Sequence, residues 1–201
     1  MEATVGCKGE LRVVVCRGSV AAKAWRRRNS LRPAYVWGWL ANKLAALVTQ
    51  LTGIPTITAE LEAIVTRKNG SVERLGVVSR RVVTSAGVAF LVDDMDDSTT
   101  DITTLNYHEC GTGVGAEDVG DTTLGTAIES REAGSKAQPA ANQLRSTATI
   151  SMTGTHAVTE HGLFSANSGG TLWDRSVFSA INVVSGDSIQ FIYTVTFTAG
   201  S

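Results

Sequence analysis

Three histidines are the side chains of this sequence best suited to acid–base or metal chemistry, namely His108, His156 and His161. No two of them have the i, i+4 spacing with which a helix presents a zinc-binding pair, and no cluster of cysteines lies near them. The sequence also lacks the G-x-S-x-G segment that places a nucleophilic serine on a strand-to-helix turn. We therefore expect no catalytic residue, no metal site and no enzyme activity.

The most acidic segment contains four aspartates, Asp93, Asp94, Asp96 and Asp97, and follows the apolar run Val88–Val92. Carboxylates at this density can chelate a hard cation such as Ca²⁺. The segment lacks, however, the glycine and the distal glutamate of the helix–loop–helix calcium motif. A solvated acidic loop is therefore the favoured interpretation.

A glycine-rich segment, Gly111-Thr-Gly-Val-Gly-Ala116, loosely fits the spacing of a dinucleotide-binding loop. The context does not fit, because no parallel strand enters the segment and no helix follows it. The carboxylates of Glu117 and Asp121 would also lie near the phosphates. We expect a flexible turn and no bound cofactor.

A basic run, Lys23-Ala-Trp-Arg-Arg-Arg28, is continued by Arg32. Such a run can contact phosphate backbones, but it is short and belongs to no recognisable nucleic-acid module. We favour a protein-docking arm or a solvated helix start over nucleic-acid binding. Aromatic residues rimmed by arginine are typical of interfaces. The predicted interface residues are Trp25, Arg26, Arg27, Arg28, Arg32, Tyr35, Trp37, Trp39, Asp93, Asp94, Asp96 and Asp97.

The formal net charge of −1 conceals a strong asymmetry along the chain. Residues 1–92 contain 14 Lys and Arg against 5 Asp and Glu, whereas residues 93–201 contain 4 against 14. This polarity indicates either two faces of one fold or a basic anchor that docks on an acidic partner, including another copy of the chain.

The first 55 residues are predicted to form a basic arm. Leu11–Cys16 is an apolar run typical of a short strand. After Pro33, apolar residues recur at spacings of three and four and predict an amphipathic helix, which Gly53 and Pro55 end. These residues are Val36, Leu40, Leu44, Leu47, Val48 and Leu51. No signal peptide and no membrane span are expected.

Residues 56–201 are predicted to form a β-domain, because the apolar period changes to two at Thr56. Asn69-Gly70 predicts a hairpin with a type I′ turn, with a return strand over 72–83. Residues 111–145 are rich in Gly, Thr, Ala and Ser and contain few large apolar side chains, so we expect a long loop with a short strand or two. Further strands are predicted over 144–152, 157–164, 171–181 and 188–197. The fold class is thus mainly β, an antiparallel β-sandwich of jelly-roll type with a basic, partly helical N-terminal region.

Two stretches of the sequence resemble a known class of protein. Tyr107–Leu124, with His108, Gly111-Thr-Gly113 and Asp121-Thr-Thr-Leu124, resembles a pattern in small virion structural proteins of tailed bacteriophages. Thr159-Glu-His-Gly-Leu-Phe164, Gly169–Phe178 and Gly186–Phe191 are similar to the C-terminal half of the same proteins. A related pattern occurs in tail-collar and fibre-attachment domains.

The resemblance implies a capsid decoration or cement subunit in the virion, assembled in the bacterial host cytoplasm. Its partners would be the major capsid protein, copies of itself, or both. The alternative is a tail or fibre-attachment subunit bound to tail proteins, which usually carries a shaft after the conserved domain; this sequence stops at Ser201. Within the motifs, we expect Glu160 and Asp174 to pair with Arg175 or to accept backbone N–H groups. Leu163, Phe164 and Phe178 are expected in the core.

Overall fold

The computed structural model describes residues 40, 43–44, 47–48, 55–80, 83–96 and 100–199. Within 55–199 the chain is mainly β, as expected, with little helix. The elements are β1 (Thr56–Thr66), β2 (Val72–Ser79), α1 (Ser85–Met95), a 3₁₀ helix (Ile102–Thr104), β3 (Tyr107–Gly111), β4 (Glu132–Ala133), β5 (Ser135–Ala140), β6 (Gln143–Ser151), β7 (His156–Phe164), β8 (Leu172–Val183) and β9 (Ser188–Thr198).

The strands form two antiparallel sheets. The five-stranded sheet has the order β2-β1-β9-β6-β5, and the four-stranded sheet has the order β4-β3-β7-β8. β1 and β9, the first and last of these strands, are paired along their whole lengths, from Thr56 opposite Thr198 to Thr66 opposite Ser188. The chain passes from one sheet to the other after β2, β4, β6 and β8. Strands distant in sequence are therefore neighbours, as β1 is to β9 and β3 is to β7.

The alternation of apolar residues gives each sheet a buried face. In β1 and β9 the buried positions alternate with partly exposed ones, which confirms the period-two prediction. One hydrophobic cluster contains residues of both sheets. The rings of Phe178 in β8 and Phe191 in β9 have centroids 6.3 Å apart. The indole Nε1 of Trp173 donates to the hydroxyl of Tyr193 at 2.9 Å, so a buried polar pair also joins the sheets.

The β1–β2 hairpin is present, but its turn differs from the prediction. Arg67 N–H donates to Ser71 O, and Gly70 N–H donates to Arg67 O, both at 2.8 Å. Lys68, Asn69 and Gly70 thus form a three-residue loop with Gly70 in the left-handed region at φ 80°. This is the pattern of a type I turn followed by a glycine bulge, so the type I′ assignment was wrong. The return strand also ends earlier, at Ser79.

The segment predicted as an acidic loop belongs in part to α1. Thr84 caps the helix by accepting from Gly87 N–H at 3.0 Å, and its hydroxyl donates to Leu172 O at 2.6 Å. This double contact fixes the start of the helix on β8. Asp93 and Asp94 therefore lie in the last turns of a helix, and Asp96 is its C-terminal cap.

The helix predicted for the N-terminal arm is represented by five described residues. Leu40, Lys43, Leu44, Leu47 and Val48 are helical and exposed. The predicted strand Leu11–Cys16 lies outside the described residues. Among the residues that are described, no helix has both the length and the apolar character needed to cross a bilayer.

Candidate functional site

The predicted interface residues are only partly placed by the structure. Asp93 and Asp96 are exposed at the end of α1. Asp94 accepts from Ile102 N–H at 2.9 Å and so holds the 3₁₀ helix against α1. The remaining predicted interface residues lie outside the described residues: Trp25, Arg26, Arg27, Arg28, Arg32, Tyr35, Trp37, Trp39 and Asp97.

The carboxylate of Glu160 in β7 is the centre of the polar motif residues. Glu160 is completely buried. Its Oε1 accepts from the backbone N–H groups of Gly113 at 2.8 Å and Thr126 at 2.7 Å, and its Oε2 accepts from Gly125 N–H at 2.9 Å. Gly113, from the glycine-rich segment rejected as a nucleotide loop, thus supplies one of the three backbone N–H groups that bind an anion, and this anion is the chain's own glutamate.

Arg175 of β8 neutralises this buried carboxylate. Its Nε and Nη2 donate to Glu160 Oε2 at 2.9 and 2.8 Å. Its Nη1 donates to Asp121 Oδ2 at 2.9 Å. The part of the loop that follows the glycine-rich segment is therefore also held against β8. Burial alone would raise the pKa of Glu160, but the three backbone N–H groups and Arg175 lower it below its ordinary value.

The expectation for Glu160 is confirmed, since it both pairs with Arg175 and accepts backbone N–H groups. Asp174 accepts from the Ser176 hydroxyl at 2.9 Å. Glu117 of the same loop accepts from Val177 N–H at 2.8 Å. Leu163, Phe164 and Phe178 are buried as expected. Hydrogen bonds thus bind the loop between β3 and β4 to β7 and β8, where the two motif stretches meet.

A second buried polar group joins the two sheets through four side chains. His108 Nδ1 lies 2.9 Å from His161 Nε2, and His108 Nε2 lies 2.7 Å from Ser146 Oγ. The Ser146 hydroxyl donates to Asn106 Oδ1 at 2.8 Å. The Asn106 amide nitrogen donates to Gly134 O. No local pattern indicated that His108 and His161 meet, because their contact depends on the pairing of β3 with β7.

The direction of these hydrogen bonds defines the tautomers of both histidines. Since Ser146 uses its single proton on Asn106, its oxygen accepts from His108 Nε2–H. His108 Nδ1 then accepts from His161 Nε2–H. His161 Nδ1 is left as a bare lone pair, and no described residue donates to it. Burial lowers the pKa of His108 to about 3, and burial together with His108 lowers the pKa of His161 well below its ordinary value. Both rings are therefore neutral at pH 7.

Ser146, His108 and His161 are joined by hydrogen bonds in that order, and this arrangement resembles one in which a base activates a nucleophile. Here the serine is closed off, because Ser146 is 3% exposed. A Cβ built on Gly134 would lie 2.4 Å from Ser146 Oγ, so the backbone of residue 134 covers the hydroxyl directly. The proton of Ser146 is also directed at Asn106 instead of a substrate. The hydrogen bonds of Ser146 thus join the two sheets.

The described residues contain no group of three or more His, Cys, Asp or Glu side chains able to hold a metal ion. Cys110 is buried in β3, where burial and the nearby Glu129, Glu109 and Glu160 raise the pKa of its thiol to about 12. A thiol held in its protonated form is a poor ligand and a poor nucleophile.

An exposed apolar groove lies where β1 and β6 begin and β9 ends. Ile57, Leu144 and Phe197 continue the buried-face alternation of their strands, yet they are 37%, 38% and 41% exposed. Met95 at the end of α1 and Pro55 also line the groove. We call this cavity, of about 1000 Å³, the end groove. The alternation alone puts these residues on the buried face of the sheet, because a local pattern does not show where along the strands the core ends.

Comparison with known proteins finds no relative: no family model, no curated protein sequence and no solved structure matches this chain.

Proposed function

We propose that this chain is a structural subunit of a tailed-bacteriophage virion, and specifically an accessory decoration or cement subunit of the capsid. The proposal rests on one observation above the others. The two stretches that resemble virion structural proteins meet in space, where Glu160, Arg175 and Asp121 hold the glycine-rich loop with internal hydrogen bonds. Residues used in this way serve architecture, which is the role that the resemblance implies.

We further propose that the two sheets form a β-sandwich of jelly-roll type. The shared core, the hydrogen bond from Trp173 to Tyr193 and the pairing of β1 with β9 support a face-to-face arrangement. A rigid body of this kind suits a subunit that must present fixed surfaces to its neighbours.

A cement subunit acts by binding the assembled shell and not its free components. Its binding free energy is then added to the assembled state alone, so the shell is stabilised by mass action. The partners in this proposal are the major capsid protein and other copies of the chain, with the basic arm as an anchor. No cofactor, catalysis, membrane or nucleic acid is needed for this role.

The alternative is a tail or fibre-attachment subunit, since a related motif occurs in tail-collar domains. The two functions are separated by shearing purified particles, isolating heads and tails, and measuring the chain in each fraction by quantitative mass spectrometry. The major capsid protein and a tail-tube protein serve as markers for the two fractions. We expect the chain to follow the capsid protein. Recovery with the tail fraction would support the alternative, and absence from both fractions would contradict a virion role.

A further inference from the structure

The end groove is an apolar surface that the chain's own described residues leave open. Its three strand residues, Ile57, Leu144 and Phe197, belong to the buried face of the five-stranded sheet but extend beyond the cover that the rest of the core receives. Met95, at the end of α1, is 79% exposed beside them. A contiguous apolar surface of this kind in a folded protein marks an interaction site.

A second apolar surface lies on the helical residues of the N-terminal arm. Leu40, Leu44, Leu47 and Val48 are all exposed in the described structure, and their spacing of i, i+4, i+7 and i+8 places them on one face of the helix. We call this face the apolar stripe. It spans about 12 Å along the helix at 1.5 Å per residue. An amphipathic helix that inserts such a stripe into a groove is a common mode of recognition.

We infer that the apolar stripe of one copy docks in the end groove of a second copy. Within one chain, only residues 49–54 separate Val48 from Pro55, which itself lines the groove. Six residues is an ordinary length for a connection between a helix and a strand. In the described structure, however, the stripe remains exposed while the groove of the same chain remains open. The chain's own helix therefore does not fill the groove, and the occupant that we infer is the stripe of a second copy.

Charge complementarity supports the same pairing. The end groove adjoins the acidic end of α1, where Asp93 and Asp96 are exposed and the last turn contains no basic residue. The C-terminal end of a helix adds a partial negative charge. On the opposite side, Lys43 lies within the stripe-bearing helix and the basic run Lys23–Arg32 precedes it. Docking the stripe would bring the basic arm toward the acidic end of α1.

A second copy as the partner of the arm rests on the proposed function, in which copies of the chain meet on the shell. Docking between copies can be tested in solution without a virion, so its failure is distinguishable from the failure of the capsid role. The full chain is measured by light scattering coupled to size exclusion over a wide concentration range. We expect reversible self-association. Leu44→Asp in the stripe and Phe197→Asp in the groove should each weaken it by at least about tenfold, because each places a charge in an apolar contact.

Val184→Asp is the matched control, because Val184 is 49% exposed in the β8–β9 turn, where it does not line the groove. It should associate like the unaltered chain, and circular dichroism should show the same fold for all three variants. A chain that stays monomeric at every concentration would overturn the inference. So would association that Leu44→Asp and Phe197→Asp leave at the level of the control.

The direction of docking is tested by cross-linking in a chain with Cys7→Ser and Cys16→Ser. One preparation contains Leu44→Cys and the other contains Leu144→Cys. On mixing and mild oxidation, we expect a mixed disulfide dimer, detected by intact mass. A third chain contains both substitutions. If its disulfide forms only within the monomer, even at high protein concentration, the helix docks in its own groove. That result would overturn docking between copies.

Discussion

Glu160 and Arg175, in the neighbouring strands β7 and β8, form a buried ion pair in which one carboxylate oxygen accepts from two guanidinium nitrogens at 2.8 and 2.9 Å. The other oxygen accepts only backbone N–H groups. The hydrogen-bond partners of this carboxylate are therefore three backbone N–H groups and one guanidinium. The ion pair joins β7 to β8, and its two charged groups also hold the loop between β3 and β4 through Gly113 and Asp121.

Replacing the carboxylate of Glu160 by an amide should be strongly destabilising. In Glu160→Gln, the amide NH₂ group must face either Arg175 or the backbone N–H groups, so a donor meets a donor in both orientations. Breaking a buried ion pair in this way costs about 3–5 kcal/mol. The free energy of unfolding, measured by urea titration, should fall by an amount in this range.

Glu60→Gln provides a matched control in a pair that solvent can reach. Glu60 accepts from Arg80 at 2.7 Å, but its side chain is 46% exposed. An exposed ion pair is worth about 0–1 kcal/mol, so this variant should change stability little. Equal losses in the two variants would mean that Glu160 does not fasten the loop.

Gly113 should be intolerant of a side chain, whereas Gly115, two residues later, should accept one. A Cβ at residue 113 would lie 2.4 Å from Glu160 Oε1, and Glu160 cannot move away without losing its hydrogen bonds. Gly113→Ala should therefore lower the free energy of unfolding by about 2 kcal/mol or more. A Cβ at residue 115 meets nothing within 4 Å. Thermal melting of Gly115→Ala should match the unaltered chain. Similar losses at both positions would count against the close contact between the backbone of residue 113 and the carboxylate of Glu160.

Gly113 and Glu160 show how much of this region could be predicted from the sequence. The motif spacing and the glycines indicated a turn, and the acid and the arginine indicated a pair. Nothing local could indicate that the turn and the acid bind one another, because Gly113 and Glu160 are 47 residues apart and meet only through the pairing of β3 with β7. The strands themselves were predictable, since alternation is local. The helix α1 was missed, because the run Val88–Val92 has no periodicity that separates a short helix from a buried strand.

Acid should destabilise the fold through His108 and His161 before the carboxylates titrate. Burial lowers the pKa of His108 to about 3, below the ordinary value of 6.5, so the unfolded chain binds the proton more readily than the folded chain. The stability is fully present above pH 6.5 and is lost as the pH falls below that value. Each such histidine removes up to about 1.4 kcal/mol per pH unit. Urea titrations between pH 7 and 5 should show this slope.

His161→Leu isolates the contribution of the histidine pair, because it removes one titrating ring from the core. The fall in stability between pH 6.5 and 5 should be about half that of the unaltered chain. Leu163→Ala, two residues later in β7, lowers stability without removing a titratable group and should keep the full slope. A slope unchanged by His161→Leu would show that the buried pair does not govern the response to acid.

Charge reversal in the basic arm tests the predicted docking residues that lie outside the described structure. Replacing Arg26, Arg27 and Arg28 by Glu should reduce the occupancy of the chain in purified particles, because the arm would then repel an acidic partner surface. The β-domain should keep its circular dichroism spectrum. Normal occupancy would remove the arm from assembly, and loss of the fold would show that the arm belongs to the core.

The number of copies of this chain per purified virion distinguishes a cement subunit from a tail component. Particles are washed at high salt, and the chain is quantified by mass spectrometry with isotope-labelled peptides against the major capsid protein. We expect a copy number comparable with that of the capsid protein, as a subunit bound across the shell requires. A copy number far below it, at the level of a tail component, would contradict the cement role, and absence from washed particles would contradict a structural role in the virion.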